Sequence, residues 1–209
     1  MKKVLIADDH AIFREGLKRL VAKTGDFMVT HEAADGIEAL RYVREIDFDL
    51  VILDISIPGR SGLDVLMDIR KFKPKLPVLI MSMYPEEQFA LRAYKVGAAG
   101  YLTKGGAADE LFTALRRIAA GKRYVSQALA EALADGLGSE IEKPLHDELS
   151  LREYQVLCKI ANGVKPQQVA DELGMGVKTV GTYRARILQK MHMKSNAELT
   201  RYALEHGLS

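Results

Sequence analysis

Five side chains able to do chemistry stand at the ends of short apolar runs in the first half of the chain. Asp8 and Asp9 follow Val4-Leu5-Ile6-Ala7, and Asp54 follows Val51-Ile52-Leu53. Ser82 follows Val78-Leu79-Ile80-Met81, and Lys104 follows Gly100-Tyr101-Leu102-Thr103. Carboxylates brought together repel one another and draw in a divalent cation. Hard oxygen donors with room for water select Mg2+. The expected direct ligands are Asp9, Asp54 and the backbone carbonyl of Ser56, with Asp8 acting through water. A carboxylate in that setting is a nucleophile toward phosphorus and yields an acyl phosphate, so Asp54 is the candidate phosphoacceptor. Lys104 and the Ser82 hydroxyl would take up charge on the transferring oxygens. Each residue alone has a plainer reading: an aspartate or serine at a turn, a solvated lysine. Their coincidence at successive strand ends favours a joint site.

These positions meet only if the apolar runs lie side by side. Runs of three or four aliphatics read as strands buried on both faces, as in a parallel sheet flanked by helices. A further strand is expected at about 28–32. Helical periods fall at about 11–23 (Ile12, Phe13, Leu17, Leu20, Val21), 36–45 (Ile37, Leu40, Val43), 63–72, 86–96 and 107–120. Strand and helix alternate, which predicts an α/β doubly wound five-stranded parallel sheet. Such sheets place their ligands beyond the carboxyl ends of the strands.

Residues 1–123 resemble a response-regulator receiver domain. The resemblance rests on Asp8-Asp9, Asp54 with Pro58 four residues later, Ser82, and Gly100-Tyr101-Leu102-Thr103-Lys104. It implies a sensor histidine kinase as phosphoryl donor and a switch pair of Ser82 and Tyr101, in which the ring enters space that the hydroxyl leaves. It also places Ser56 and Tyr84 beside the phosphoryl site, where they would set the rate of hydrolysis. Gly105 follows Lys104 where many receivers have proline, so a trans peptide is expected there.

Residues 124–146 read as a helix over about 126–134, capped by Ser126, and a flexible tether from 135 to 148. From 147 to 209 the pattern is wholly helical, an all-α domain. Ser150 and Glu153 form a capping box, Pro166 opens a second short helix, and further helices are expected at about 177–192 and 195–206. Two short helices joined by a glycine-containing turn make a helix-turn-helix. The 177–191 segment carries Lys178, Arg184, Arg186 and Lys190 and no acid. With Thr179, Thr182 and Tyr183 it could meet phosphates and base edges of double-stranded DNA, and Gly181 would bring the backbone close. Leu149-Ser150-Leu151-Arg152-Glu153, Gly163, Val169-Ala170-Asp171-Glu172-Leu173 and Lys178-Thr179-Val180 resemble the LuxR-type helix-turn-helix of NarL/FixJ response regulators. Together the two resemblances imply a phosphorylation-regulated transcription factor that acts as a homodimer on repeated half-sites.

Composition agrees with this and excludes other classes. Of the 209 residues, 48% are hydrophobic and 28% charged, as in ordinary globular proteins. No apolar run approaches the roughly 18 residues of a membrane span, and the amino terminus leads directly into a strand, so no membrane partner and a cytoplasmic location are expected. The net charge of +2 alone would not indicate nucleic acid. Cys158 is the single cysteine, cannot form an intramolecular disulfide, and falls in a helical apolar pattern. A phosphatase working through an aspartyl phosphate is the rival reading. Such enzymes carry a second aspartate two residues after the nucleophile, where this chain has Ser56.

Overall fold

The computed structural model describes residues 1–136 and 144–208, apart from the side chains of 87, 88, 132–136 and 151. Two compact units divide the chain, Met1–Ser139 and Glu140–Ser209.

The first unit alternates strand and helix: β1 (Lys2–Ala7), α1 (Ala11–Ala22), β2 (Phe27–Ala33), α2 (Gly36–Glu45), β3 (Leu50–Asp54), α3 (Gly62–Phe72), β4 (Val78–Ser82), α4 (Glu86–Val96), β5 (Gly100–Thr103) and α5 (Ala108–Ala119), with α6 (Gln127–Gly136) following. All strand pairings are parallel, in the order β2-β1-β3-β4-β5. β3 lies at the centre of the sheet and every one of its residues is buried. Each large aliphatic buried there contributes about 1.5–3 kcal/mol by leaving water. The register sets Ala7 beside Leu53, Asp54 beside Met81 and Ser82 beside Thr103, so the five sequence-selected residues emerge along one edge.

The helices start where local hydrogen bonding starts them. Asp35 caps α2 by accepting from the Glu38 amide at 2.7 Å, and Ser61 caps α3 by accepting from the Asp64 amide at 3.3 Å. Leu17 and Val21 seat α1 on the sheet, but Ile12 is 91% exposed and Ile37 of α2 is 66% exposed, although both fit the apolar period. Each begins its helix just outside the sheet-facing stripe.

The second unit contains a 3-10 turn (Leu145–Glu148), α7 (Leu151–Ala161), α8 (Pro166–Glu172), α9 (Val177–Lys190) and α10 (Asn196–Glu205). The expected capping box is present: Glu153 N donates to Ser150 Oγ and Ser150 N donates to Glu153 Oε2 at 2.6 Å. Tyr154, Leu157, Val169, Val180, Ile187 and Leu199 form its core. The tether expected at 135–148 is corrected at both ends, because α6 runs to Gly136 and Leu145–Glu148 is folded. That turn is held by His146, whose Nδ1 lies 2.9 Å from the Tyr202 hydroxyl. The part from 137 to 143 lies outside the described residues. The Lys104–Gly105 peptide is trans.

Candidate functional site

At the carboxyl edge of the sheet Lys104 reaches back across β4 to the acids. Its Nζ lies 2.7 Å from Asp8 Oδ2 and 2.9 Å from Asp54 Oδ2, and its side chain is only 4% exposed. Phe13, from α1, lies under the same ammonium, 4.9 Å from Nζ to ring centroid. Asp8, Asp9, His10 and Asp54 each offer a ligand atom within 4.8 Å of the others. Asp8 and Asp54 are buried, whereas Asp9 and His10 are exposed and form the open side of the site. His10 Nδ1 stands 2.9 Å from Asp9 Oδ1 and 3.2 Å from Asp8 Oδ1.

Charge arithmetic tests the cluster for a cation. Three carboxylates and one ammonium leave a surplus of about two negative charges, which a divalent ion would balance. The donors are hard oxygens and one face is open to water, so this acidic pocket fits a divalent cation. Burial pushes the Asp54 carboxyl above its ordinary value; the charge and hydrogen bond of Lys104 and the Ser56 amide oppose this, and Asp8 adds to the rise. Ser56 N donates to Asp54 Oδ1 at 3.1 Å, which fixes the carboxylate's rotation.

The loop after Asp54 depends on a residue that sequence reasoning passed over. A Cβ on Gly62 would stand 2.2 Å from the Asp54 carbonyl oxygen and 2.7 Å from Ile55 Cα, so only glycine lets α3 begin directly behind the candidate phosphoacceptor. Gly36 does the same where the loop crosses α2, 2.3 Å from the Arg60 carbonyl oxygen. Phe13 and His10 were also not singled out. Their shared place on the segment after Asp8-Asp9 was the available signal.

Ser82 and Tyr101 are both wholly buried. Ser82 Oγ accepts from Tyr84 N at 3.0 Å, and the Tyr101 hydroxyl donates to the Tyr84 carbonyl at 3.0 Å. The Tyr101 ring is thus already inside in this structure, and burial raises its phenol above the ordinary value.

In the second unit, α9 buries Val180 and Ile187, while Lys178, Thr179, Gly181, Thr182 and Arg186 are exposed and Tyr183 and Arg184 half-buried. Thr182 Oγ1 donates to the Lys178 carbonyl at 3.1 Å, and Arg184 Nε donates to Asn196 Oδ1 at 2.6 Å. Lys190, expected at the DNA face, is engaged within the unit. Its Nζ bonds Glu153 Oε2 at 2.7 Å and the Glu148 carbonyl at 3.2 Å, which ties α9 to the start of α7. Burial alone would raise the Glu153 carboxyl, yet the bonds from Lys190 and Ser150 hold it below its ordinary value. The cation at 190 therefore has a structural partner that its helix does not reveal.

A parallel α/β unit with a carboxylate, lysine and hydroxyl cluster at its strand ends, joined to a helix-turn-helix unit with a cationic helix, defines a receiver coupled to an effector. Residues 4–116 match the family of the response regulator receiver domain, and residues 147–203 match the bacterial regulatory proteins of the luxR family. The chain is 36% identical over 209 residues to response regulator GacA of Pseudomonas aeruginosa, covering 100% of this chain and 98% of that one. It is 32% identical over 210 residues to response regulator UvrY of Escherichia coli, covering 100% and 96%. A crystal structure of a LuxR-family two-component response regulator from Aurantimonas sp. shares 36% identity over 66% of this chain and 99% of its own, with a TM-score of 0.62. RcsB of Salmonella typhimurium has the same fold, with a TM-score of 0.70 at 24% identity over 96% of both chains. The chain belongs to the two-component response regulators with a LuxR-type effector, a family of phosphorylation-regulated DNA-binding transcription regulators rather than enzymes turning over an external substrate. Among the described residues no helix is long and apolar enough to cross a membrane.

Proposed function

We propose that Asp54 accepts a phosphoryl group from a sensor histidine kinase and that the acyl phosphate governs how α9 engages promoter DNA. In the transfer an Asp54 oxygen attacks phosphorus, the O–P bond forms and the P–N bond to the kinase histidine breaks. The imidazole leaves with the electron pair and takes up a proton. Asp9, Asp54 and the Ser56 carbonyl, with Asp8 through water, would hold Mg2+, which would supply charge neutralisation when bound. Lys104 turns from the carboxylates to the new phosphoryl oxygens, and Ser82 Oγ donates to one of them. Tyr101 packs behind the serine as the other half of the switch. The single observation that carries this reading is the Lys104 ammonium, buried and bonded to both Asp8 and Asp54.

Within the effector, Lys178, Thr179, Gly181, Thr182, Tyr183, Arg184 and Arg186 form the DNA-facing set, and Lys190 is reassigned to holding the domain together. One such module makes few phosphate contacts and binds weakly at physiological salt, so two copies on adjacent half-sites are needed to gain effective concentration. RcsB, with the same fold, has been solved bound to promoter DNA and as dimers on DNA. The working units are a receiver at 1–123, a connecting segment at 124–146 and the DNA-binding domain at 147–209, in a cytoplasmic protein.

An acyl phosphate donor with Mg2+ should leave one hydroxylamine-labile phosphate on the wild type and none on Asp54→Ala. Retardation of duplex DNA should strengthen with the donor in the wild type only. Equal labelling of the two proteins would overturn the assignment.

A further inference from the structure

The amino-terminal edge of the sheet holds a second charged concavity, at the opposite strand ends from the carboxylate cluster. It is a pocket of about 540 Å3 whose lining carries Lys2, Arg70, Lys75, Lys122 and Arg123 against one carboxylate, Asp49. Asp49 is partly occupied, since its Oδ2 accepts the Lys3 amide at 2.7 Å. Gly121, at φ +73°, turns the chain after α5 so that Lys122 and Arg123 line the pocket.

Two of the cations are fixed in place. Lys2 Nζ donates to the Ala119 carbonyl at 2.8 Å. Arg70 Nε donates to Gly97 O at 3.0 Å, and its Nη1 donates to Pro74 O at 2.9 Å and Leu76 O at 2.7 Å. The close seat of Arg70 requires glycine at 97, where a Cβ would meet Arg70 Nε at 3.0 Å and φ is +110°. These carbonyls lie at or just beyond the carboxyl ends of α3, α4 and α5, so part of the positive charge answers helix dipoles. Three helix ends at about −0.5 each, together with Asp49, still leave the five cations with a surplus of about +2.5. Arg70 Nη2 has no protein acceptor among the described residues, and Lys75, Lys122 and Arg123 have no carboxylate partner among them. Arg123 also stands near enough to Arg70 for their like charges to oppose each other.

We propose that this pocket binds a small oligophosphate, an anion of two or more linked phosphoryl groups, at a site independent of Asp54. Arg70 offers one donor nitrogen, Nη2, already held in place and so losing little freedom on binding, and Arg123 offers a guanidinium whose donors match phosphate oxygens in pairs. The surplus charge exceeds what one phosphate dianion would neutralise, and the cations line a concavity large enough for a linked pair. Solvated cations on a convex face would show neither the clamp on Arg70 nor a shared concavity, here open on one side to solvent.

Titration calorimetry of the full chain in EDTA and low salt, with pyrophosphate and then tripolyphosphate as probes, tests the site. The expected result is one equivalent bound with Kd below about 1 mM, tighter for the longer probe and weakened by added salt. Lys122→Gln combined with Arg123→Gln should weaken binding about tenfold or more without changing the melting temperature in the absence of probe. Asp54→Ala and Arg186→Gln should bind as the wild type does. Absence of binding by the wild type, undiminished binding by the double variant, or loss in either control would overturn the proposal.

Discussion

Replacing Lys104 with methionine keeps the side chain's length and removes its charge, which leaves Asp8 and Asp54 facing each other with no shared cation. The two carboxylates are buried to 3% and 1% side-chain exposure, so solvent screens them little. Removing one partner of a buried ion pair costs about 3–5 kcal/mol. An independent ceiling exists, because the protein can escape by protonating one acid. From the ordinary aspartate value of 3.8, that costs about 4 kcal/mol at pH 7. The two bounds overlap at about 3–4 kcal/mol, which for a unit of this size lowers the melting temperature by about 10–20 °C. The sign with pH follows from Asp54, whose carboxyl is already raised by burial. An acid raised in the folded state destabilises above its folded value, and the cost fades as pH falls toward 3.8, so the variant's deficit should shrink in mild acid. Mg2+ should restore more stability to the variant than to the wild type, since its cluster carries one more unbalanced negative charge; a ligand at a hundred times its Kd adds about 2.7 kcal/mol. The measurement is a pair of thermal melts by circular dichroism, in EDTA and in Mg2+, with Lys71→Met as control. Lys71 pairs with Asp68 at 3.1 Å but is 74% exposed, so its loss should cost under about 1 kcal/mol. A Lys104→Met protein that melts with the wild type in EDTA, or that responds less to Mg2+, would refute the shared-cation account.

Three further outcomes are expected. Glu153→Gln should destabilise the effector by about 1.5–3 kcal/mol, because it removes the negative charge that strengthens the bonds from Lys190 and Ser150 and puts an amide in place of one carboxylate oxygen at a buried site. Since Glu153 is depressed in the folded state, its contribution is complete above the ordinary 4.5 and is lost as pH falls through the folded value, so the variant's acid unfolding limb should be flatter. Gly62→Ala should cost about 1–3 kcal/mol through overpacking and slow phosphate uptake from an acyl phosphate donor, and normal uptake would show that Asp54 does not need that close approach. Gly181→Ala meets no atom within 4 Å and should stabilise α9 by up to about 1 kcal/mol. It should nevertheless weaken duplex binding in a mobility-shift titration, and undiminished affinity would remove the idea that the backbone there nears DNA.

The strands were legible because a parallel sheet buries both faces, so β3 appears in the sequence as an unbroken aliphatic run ending in Asp54. The site was legible for the same reason, since its residues sit where such runs stop. Features made by contacts distant in sequence were not legible. Lys190 looked like one more cation on a basic helix because its partner Glu153 lies on another element. Gly62 looked like a loop glycine because the atom that excludes a side chain belongs to Asp54. Ile12 and Ile37 satisfied the helical period yet are exposed, because periodicity does not fix where the buried stripe ends. The 3-10 turn at Leu145–Glu148 is too short to show a period and is held by His146 against Tyr202, a residue from the far end of the unit.

The position of Tyr84 shows how a charge change at Asp54 can reach the surface. Its amide donates to Ser82 Oγ and its carbonyl accepts from the Tyr101 hydroxyl, each at 3.0 Å, so both halves of the expected switch pair hold the same residue. Pro85, the next residue, is the cap of α4. A serine drawn toward phosphoryl oxygens must lengthen its bond to the Tyr84 amide, while Tyr101, already inside, keeps hold of the carbonyl. The first displacement expected is then of the Met83–Tyr84 peptide, while the Tyr84 carbonyl stays held, rather than entry of a ring from outside. On this reading phosphorylation should act first on the segment that leads through Pro85 into α4, and a variant of Ser82 that cannot donate to the phosphoryl group should leave that segment unmoved.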